Sequence, residues 1–159
     1  MNVDLSDIRK KAVEVNQYIN SLDQKCKETF LARKQTYTLK KETVTQLEPF
    51  ADKTTIIAFS AGWCKDCATN IPVLALVAEA TGIEVRVFGG LKKDPLSHTK
   101  KWKVPPSPPE VETCNVDKIP LMILFDKHGK EIGRIVENPK MTPTLEEEIV
   151  RILFEQRSI

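Results

Sequence analysis

No run of apolar residues in this chain approaches the length of a membrane span, so a bilayer-crossing helix is not expected. The first residues, Met1-Asn2-Val3-Asp4-Leu5-Ser6-Asp7, are polar and acidic, and no apolar core region follows them. That pattern lacks the features of a secretory signal, and the expected location is the cytosol. An excess of one charge is also missing. The 24 basic and 22 acidic residues leave a net charge of +2, which implies neither a nucleic acid nor a membrane as partner. Cysteines are few and scattered: of Cys26, Cys64, Cys67 and Cys114, only Cys64 and Cys67 are close in sequence. A disulfide scaffold is therefore excluded, and redox or metal chemistry at that one pair is indicated.

What remains is ordinary for a folded chain. Hydrophobic residues make up 41% of the 159 positions and charged residues 29%. That length suits one domain, with room for an appendage and a real core. Residues 1 to 48 contain no proline or glycine. Leu5, Ile8, Ala12, Val15, Ile19, Leu22, Cys26 and Phe30 recur there at three- and four-residue steps, which predicts one long helix packed on the main domain. A shorter helix is expected from Glu42 to Pro49. Residues 1–51 are thus read as an N-terminal helical extension and residues 52–159 as the main domain.

The main domain opens with Thr54-Thr55-Ile56-Ile57-Ala58-Phe59-Ser60, a β-branched apolar run that reads as a buried strand. A helix with Ile71, Leu74, Ala75 and Ala78 on one face follows and stops near Gly82; Pro72 within it predicts a kink or local break. Ile83 to Phe88 is the next strand, and a strand–helix–strand unit favours parallel pairing. Residues 91–118 are rich in Lys and Pro, including Pro105-Pro106-Ser107-Pro108-Pro109, and are expected to be an irregular insert. Leu121 to Phe125 and Glu131 to Val136 flank the turn Asp126-Lys127-His128-Gly129-Lys130 and predict an antiparallel hairpin. A last helix is expected from Thr144 to Phe154, with Thr144 and Glu147 spaced as a capping box.

The chemistry concentrates in Trp63-Cys64-Lys65-Asp66-Cys67, at the junction of predicted strand and helix. The first turn of a helix has unpaired N–H groups and the positive end of its dipole. A thiolate at Cys64 is stabilised there, so its pKa falls and more of the nucleophile exists at neutral pH. Lys65 adds to the effect and Asp66 opposes it. Cys67, one turn on, reaches the same sulfur and can resolve a mixed disulfide. The same pair is also half of a zinc site, a lesser reading because a second closely spaced ligand pair is missing and Cys26, Cys114, His98 and His128 are each isolated. His98 reads as a surface residue, Cys26 as a small buried hydrophobe, and Cys114 is not counted as a third redox thiol. Ile119-Pro120 stands just before an apolar strand, where a proline costs no ladder hydrogen bond and where a cis bond is cheap.

Taken together, Trp63, Cys64, Cys67, Pro72 and Ile119-Pro120 resemble the thioredoxin family over roughly residues 52 to 156. The resemblance implies an α/β, thioredoxin-like fold, with a central mixed sheet flanked by helices. It implies Cys64 as the attacking thiol and Cys67 as the resolving thiol. Trp63 would flank the site, Pro120 would shape a substrate groove, and the backbone of Ile119 would pair with an extended peptide. Three departures stand out. Lys65-Asp66 replaces the Gly-Pro of thioredoxins proper. Ala58 stands where they carry a buried aspartate, leaving Asp66 and Glu84 as candidate carboxylates. The Phe88–Pro120 segment is longer, and the N-terminal helix is added.

The expected function is a thiol–disulfide oxidoreductase, a cytosolic disulfide reductase cycling through Cys64 and Cys67. It calls for no metal and no organic cofactor. Its partners are a protein or small-molecule disulfide and an external electron donor, with no nucleic acid and no membrane. The alternative is a non-catalytic thioredoxin-like binding module that uses its groove, the lysine-rich insert or the first helix to hold a partner.

Overall fold

The computed structural model describes residues 1–157. The N-terminal stretch is three helices rather than one: α1 (Leu5–Lys11), α2 (Val15–Ser21) and α3 (Gln24–Thr36). Between α1 and α2 lies β1 (Val13–Glu14). No glycine or proline makes these breaks; carboxylates do. Asp4 accepts from the N–H groups of Ser6 and Asp7, Glu14 from those of Asn16 and Gln17, and Asp23 from that of Cys26. Each satisfies donors that a continuous helix would have used internally, and such a cap is worth about 1 kcal/mol. The predicted apolar stripe nevertheless marks burial correctly for Leu5, Ile8, Ala12, Val15, Ile19 and Phe30, whereas Leu22 and Cys26 are only half-buried.

Then come α4 (Lys41–Leu47), a 3-10 turn at Glu48–Phe50, β2 (Thr54–Phe59), α5 (Lys65–Thr81) and β3 (Glu84–Phe88). After the insert, with its short α6 (Glu110–Thr113), follow β4 (Leu121–Asp126), β5 (Glu131–Val136) and α7 (Leu145–Arg157). The sheet order is β1-β3-β2-β4-β5. β2 and β3 are parallel, and the other neighbours are antiparallel, so the sheet is mixed, as expected. β2 lies in the middle and all six of its residues are buried. That placement explains its unbroken apolar, β-branched run: both faces are covered.

α5 runs without interruption through Pro72 and ends at Gly82, whose φ of 83° only glycine adopts at no steric cost. Of the expected kink or local break, the break does not occur: α5 is clamped on two sides. It packs on the sheet and α3 lies against it, so Pro72 and nearly every residue around it are buried. The Thr144–Glu147 cap of α7 also forms: the Glu147 N–H donates to the Thr144 hydroxyl at 3.2 Å, and that hydroxyl donates to the Glu147 carboxylate at 2.7 Å.

The first 51 residues share the core with the rest: Leu5, Ile8, Val15, Ile19, Phe30 and Leu47 join one apolar cluster with the sheet and α5. β1 extends the sheet at β3, pairing Val13 with Val87. Near α7, the Tyr37 hydroxyl and the Lys40 N–H both donate to the buried Glu146 carboxylate, at 2.7 and 3.2 Å. No described helix is long and apolar enough to cross a membrane.

Candidate active site

β2 ends at Phe59, and the chain turns through Ser60-Ala61-Gly62-Trp63 into α5. Cys64 is the residue that caps α5. Its sulfur accepts the N–H of Cys67 at 3.2 Å, so the thiol occupies the place that a serine or aspartate side chain usually takes. The Cys64 side chain also reaches the carbonyl of Ile119, at 3.6 Å, donating its thiol proton when protonated. The Ile119–Pro120 peptide is cis, and both residues are buried beside the sulfur. Hence the strand–helix junction and the start of β4, 55 residues apart, meet at one atom.

The two cysteines differ in environment, and their ionisation differs accordingly. The Cys67 thiol donates to the Cys64 sulfur, and the helix N–H groups add to it. Together these outweigh burial and the repulsion of Asp66, lowering the Cys64 pKa from 9.0 to about 7. Cys67 is fully buried, and loss of solvent pushes its pKa far above the ordinary value, with its own hydrogen bond to Cys64 acting in the same direction. One sulfur is thus poised to be a thiolate and the other to remain a thiol until the first is consumed.

Beneath Cys67 lies a short polar chain. The Ser60 hydroxyl, 0% exposed, is within hydrogen-bonding reach of Cys67 and favours its ionised form. Ser60 and the Tyr18 hydroxyl hydrogen-bond to one another at 2.9 Å. Tyr18 comes from α2, so the N-terminal segment reaches the site. Neither residue was legible as functional from sequence, because 42 positions separate them and only the packing of α2 against α5 and β3 brings them together. Position 58 holds a buried alanine in β2 and no carboxylate. Glu84 cannot serve instead. It opens β3 opposite Thr55, at the start of β2, and is held by the Arg9 guanidinium at 2.8–3.1 Å and the Thr55 hydroxyl at 3.1 Å. Asp66 is the only one of the two candidate carboxylates beside Cys64.

Cys64 opens onto a groove of about 230 Å³. Trp63 forms one rim, 56% exposed, with its indole N–H donating to the Leu91 carbonyl at 3.0 Å. Ile119 lines the groove, and Pro120 lies buried just behind it. Another part of the lining comes from the insert, which is more ordered than its prolines suggest. The Trp102 indole is buried and donates to the Val116 carbonyl at 2.7 Å, Lys93 and Trp102 form a β-bridge, and Ser107 bonds both the N–H and the carbonyl of Lys92. These contacts fold Lys93, Lys101 and Trp102 back to the groove. Asn70 fixes the far rim, donating to the carbonyls of Asp66 and Glu137 and to the Asn138 side chain at 2.8–2.9 Å.

The remaining cysteines do not line the groove. Cys114 is buried away from the groove, and loss of solvent raises its pKa to about 11. Cys26 is half-buried, with its sulfur against Gly62 so closely that a Cβ there would lie 3.2 Å away. His98 is exposed on the insert. Among the described residues, no cluster of three or more metal-ligating side chains occurs.

A sequence model of the family described as Thioredoxin matches residues 12–149, a span that takes in β1, α2 and α3 as well as the main domain. A protein of unknown function from Pseudomonas aeruginosa superimposes with a TM-score of 0.75 at 12% identity, over 97% of this chain and 99% of that one. An HIV epitope-scaffold gives a TM-score of 0.72 at 14% identity, over 99% of both chains. Both likenesses establish the fold, N-terminal elements included. Oxidised mitochondrial thioredoxin 3 from Saccharomyces cerevisiae is 26% identical, over 60% of this chain and 80% of that one, with a TM-score of 0.38. No curated protein sequence matches this chain.

Proposed function

Because this chain belongs to the thioredoxin family, we propose that it is a thiol–disulfide oxidoreductase working as a disulfide reductase in a reducing compartment such as the cytosol. The observation that carries the reading is the asymmetry of the pair: Cys64, at the start of α5, is held near a pKa of about 7, and Cys67 is buried as a thiol against it.

The Cys64 thiolate attacks one sulfur of a substrate disulfide. A bond forms between Cys64 and that sulfur, and the other substrate sulfur leaves as a thiolate that takes a proton from water. The Cys67 thiol then gives up its proton, which balances the one taken up by the departing substrate thiolate, and attacks the Cys64 sulfur. The mixed disulfide breaks, the second substrate thiolate departs, and the protein holds a Cys64–Cys67 disulfide. An external dithiol donor returns the pair to the reduced state. Consumption of the Cys64 thiolate removes the negative charge beside Cys67, which is the moment at which its ionisation becomes cheaper. Trp63 and Ile119 form the wall against which the substrate disulfide is laid, and Pro120, buried behind Ile119, shapes that wall. No metal or organic cofactor enters these steps.

The test is reduction of insulin with dithiothreitol as donor. Cys64→Ser should abolish the acceleration over dithiothreitol alone, and Cys67→Ser should accumulate a mixed disulfide on Cys64 visible by mass spectrometry. Full turnover in Cys64→Ser contradicts the proposal. If neither the wild type nor the variants act on insulin or on disulfide peptides, the binding-module alternative takes its place.

A further inference from the structure

The groove above Cys64 has a charge character that the chain as a whole lacks. Lys65, Lys93, Lys101 and Lys118 line it, against Asp66 and Glu137. Removing these six residues from the 24 basic and 22 acidic residues of the chain leaves 20 of each. The net positive charge of the protein therefore coincides with the rim of its reactive sulfur.

Packing holds part of this rim in place. The Lys93 ammonium lies 5.6 Å from the centre of the Trp63 ring, and the Lys101 ammonium 5.4 Å from that of Trp102. Those rings are themselves anchored by indole hydrogen bonds to Leu91 and Val116. Lys101 has one distant carboxylate neighbour, Asp117 at 3.8 Å, in an exposed pair. All four lysines are exposed. Their charge is therefore available to a ligand rather than neutralised within the fold. Charges of one sign around a concave site steer an oppositely charged partner and raise its encounter rate, with a strong dependence on salt.

We propose that the physiological substrate is a disulfide in an acidic protein segment, with Asp or Glu flanking the half-cystine that Cys64 attacks. The inference rests on the oxidoreductase reading above. The groove holds about 230 Å³, less than the ~300–1,000 Å³ of sites that enclose a small molecule. It is open, and its cations lie on both α5 and the insert, so it suits a protruding loop of a larger protein. The reaction is the exchange already described; the lysines choose the partner and take no part in the bond changes.

Two experiments separate this inference from the reading it rests on. The first needs no turnover. Reduced protein is alkylated at Cys64 with anionic iodoacetate and with neutral iodoacetamide, and the ratio of rates is read by peptide mass spectrometry. The ratio cancels any change in thiolate fraction. It should fall about 5–10-fold in Lys93→Glu/Lys118→Glu at low salt and converge with the wild-type ratio at high salt. An unchanged ratio overturns the proposal. The second measures turnover of disulfide peptides matched except for flanking Glu, Gln or Lys. The acidic peptide should be reduced about tenfold faster than the basic one at low ionic strength. Equal rates, or preference for the basic peptide, overturn the substrate assignment and leave the oxidoreductase reading intact. If neither insulin nor any peptide is reduced, the oxidoreductase reading falls and the substrate assignment with it; if insulin alone is reduced, only the substrate assignment falls.

Discussion

Replacing Cys67 by Ala should make Cys64 a poorer nucleophile at neutral pH, before any question of disulfide formation arises. The largest influence holding the Cys64 pKa down is the hydrogen bond from the Cys67 thiol. Alanine removes that donor and keeps the Cys67 backbone N–H, which still reaches the Cys64 sulfur at 3.2 Å. With a pKa of about 7, roughly half of Cys64 is thiolate at pH 7; at the ordinary value of 9.0 about 1% would be. Since the backbone donors remain, the variant should lie between these limits, with thiolate at pH 7 reduced about 5–20-fold. The assay is the pH dependence of iodoacetamide alkylation of reduced protein, resolved at Cys64 by mass spectrometry. The wild-type midpoint should fall near pH 7 and that of Cys67→Ala at least one pH unit higher. Asp66→Asn supplies the opposite sign: Asp66 repels the thiolate, so its removal should move the midpoint down. An unmoved midpoint in Cys67→Ala would refute the claim that the buried thiol tunes its partner.

Ser60→Ala should leave the first attack intact and lengthen the life of the mixed disulfide about 3–10-fold, because the Ser60 hydroxyl favours ionisation of Cys67. Stopped-flow release of a thiol substrate measures this, and an unchanged release rate contradicts it. Gly89→Ala places a Cβ 2.5 Å from the ring of Tyr18, a buried side chain held by its hydrogen bond to Ser60. It should cost about 1–3 kcal/mol in urea unfolding, and a neutral result would mean that α2 packs less tightly than described. Glu146→Ala removes the acceptor of the half-buried Tyr37 hydroxyl and of the Lys40 N–H. A loss of about 1–2 kcal/mol is expected by the same measurement.

The parts of the fold written in local pattern were legible. β2, α5, β3 and the β4–β5 hairpin follow from runs of Ile, Val, Leu and Phe at strand or helix period, closed by Gly82 and by the Asp126–Lys130 turn. Cys64 and Cys67 were legible because a three-residue spacing at a strand–helix junction has few other uses. What escaped was decided by contacts between distant segments. The stripe from Leu5 to Phe30 foretold burial but not continuity, because Glu14 and Asp23 cap new helices at the very positions where the period runs on. Pro72 foretold a kink or a break, and α5, packed on both sides, runs through it without a break. The prolines of the insert foretold irregular backbone, but nothing local shows that Trp102 buries its ring and that Lys93 and Lys101 return to the groove. The Ser60–Tyr18 pair was equally hidden, because each residue alone is commonplace.

The most direct test of the central claim is the reduction potential of Cys64 and Cys67, measured by equilibrating the protein with a series of glutathione redox buffers and trapping the thiols with a mass tag. One reversible two-electron couple is expected, confined to these two residues, with Cys26 and Cys114 unchanged throughout. The couple should be lost in both Cys64→Ser and Cys67→Ser. A pair that shows no reversible couple across the series, or a disulfide that recruits Cys26 or Cys114 instead, would contradict the assignment of Cys64 and Cys67 as the redox pair.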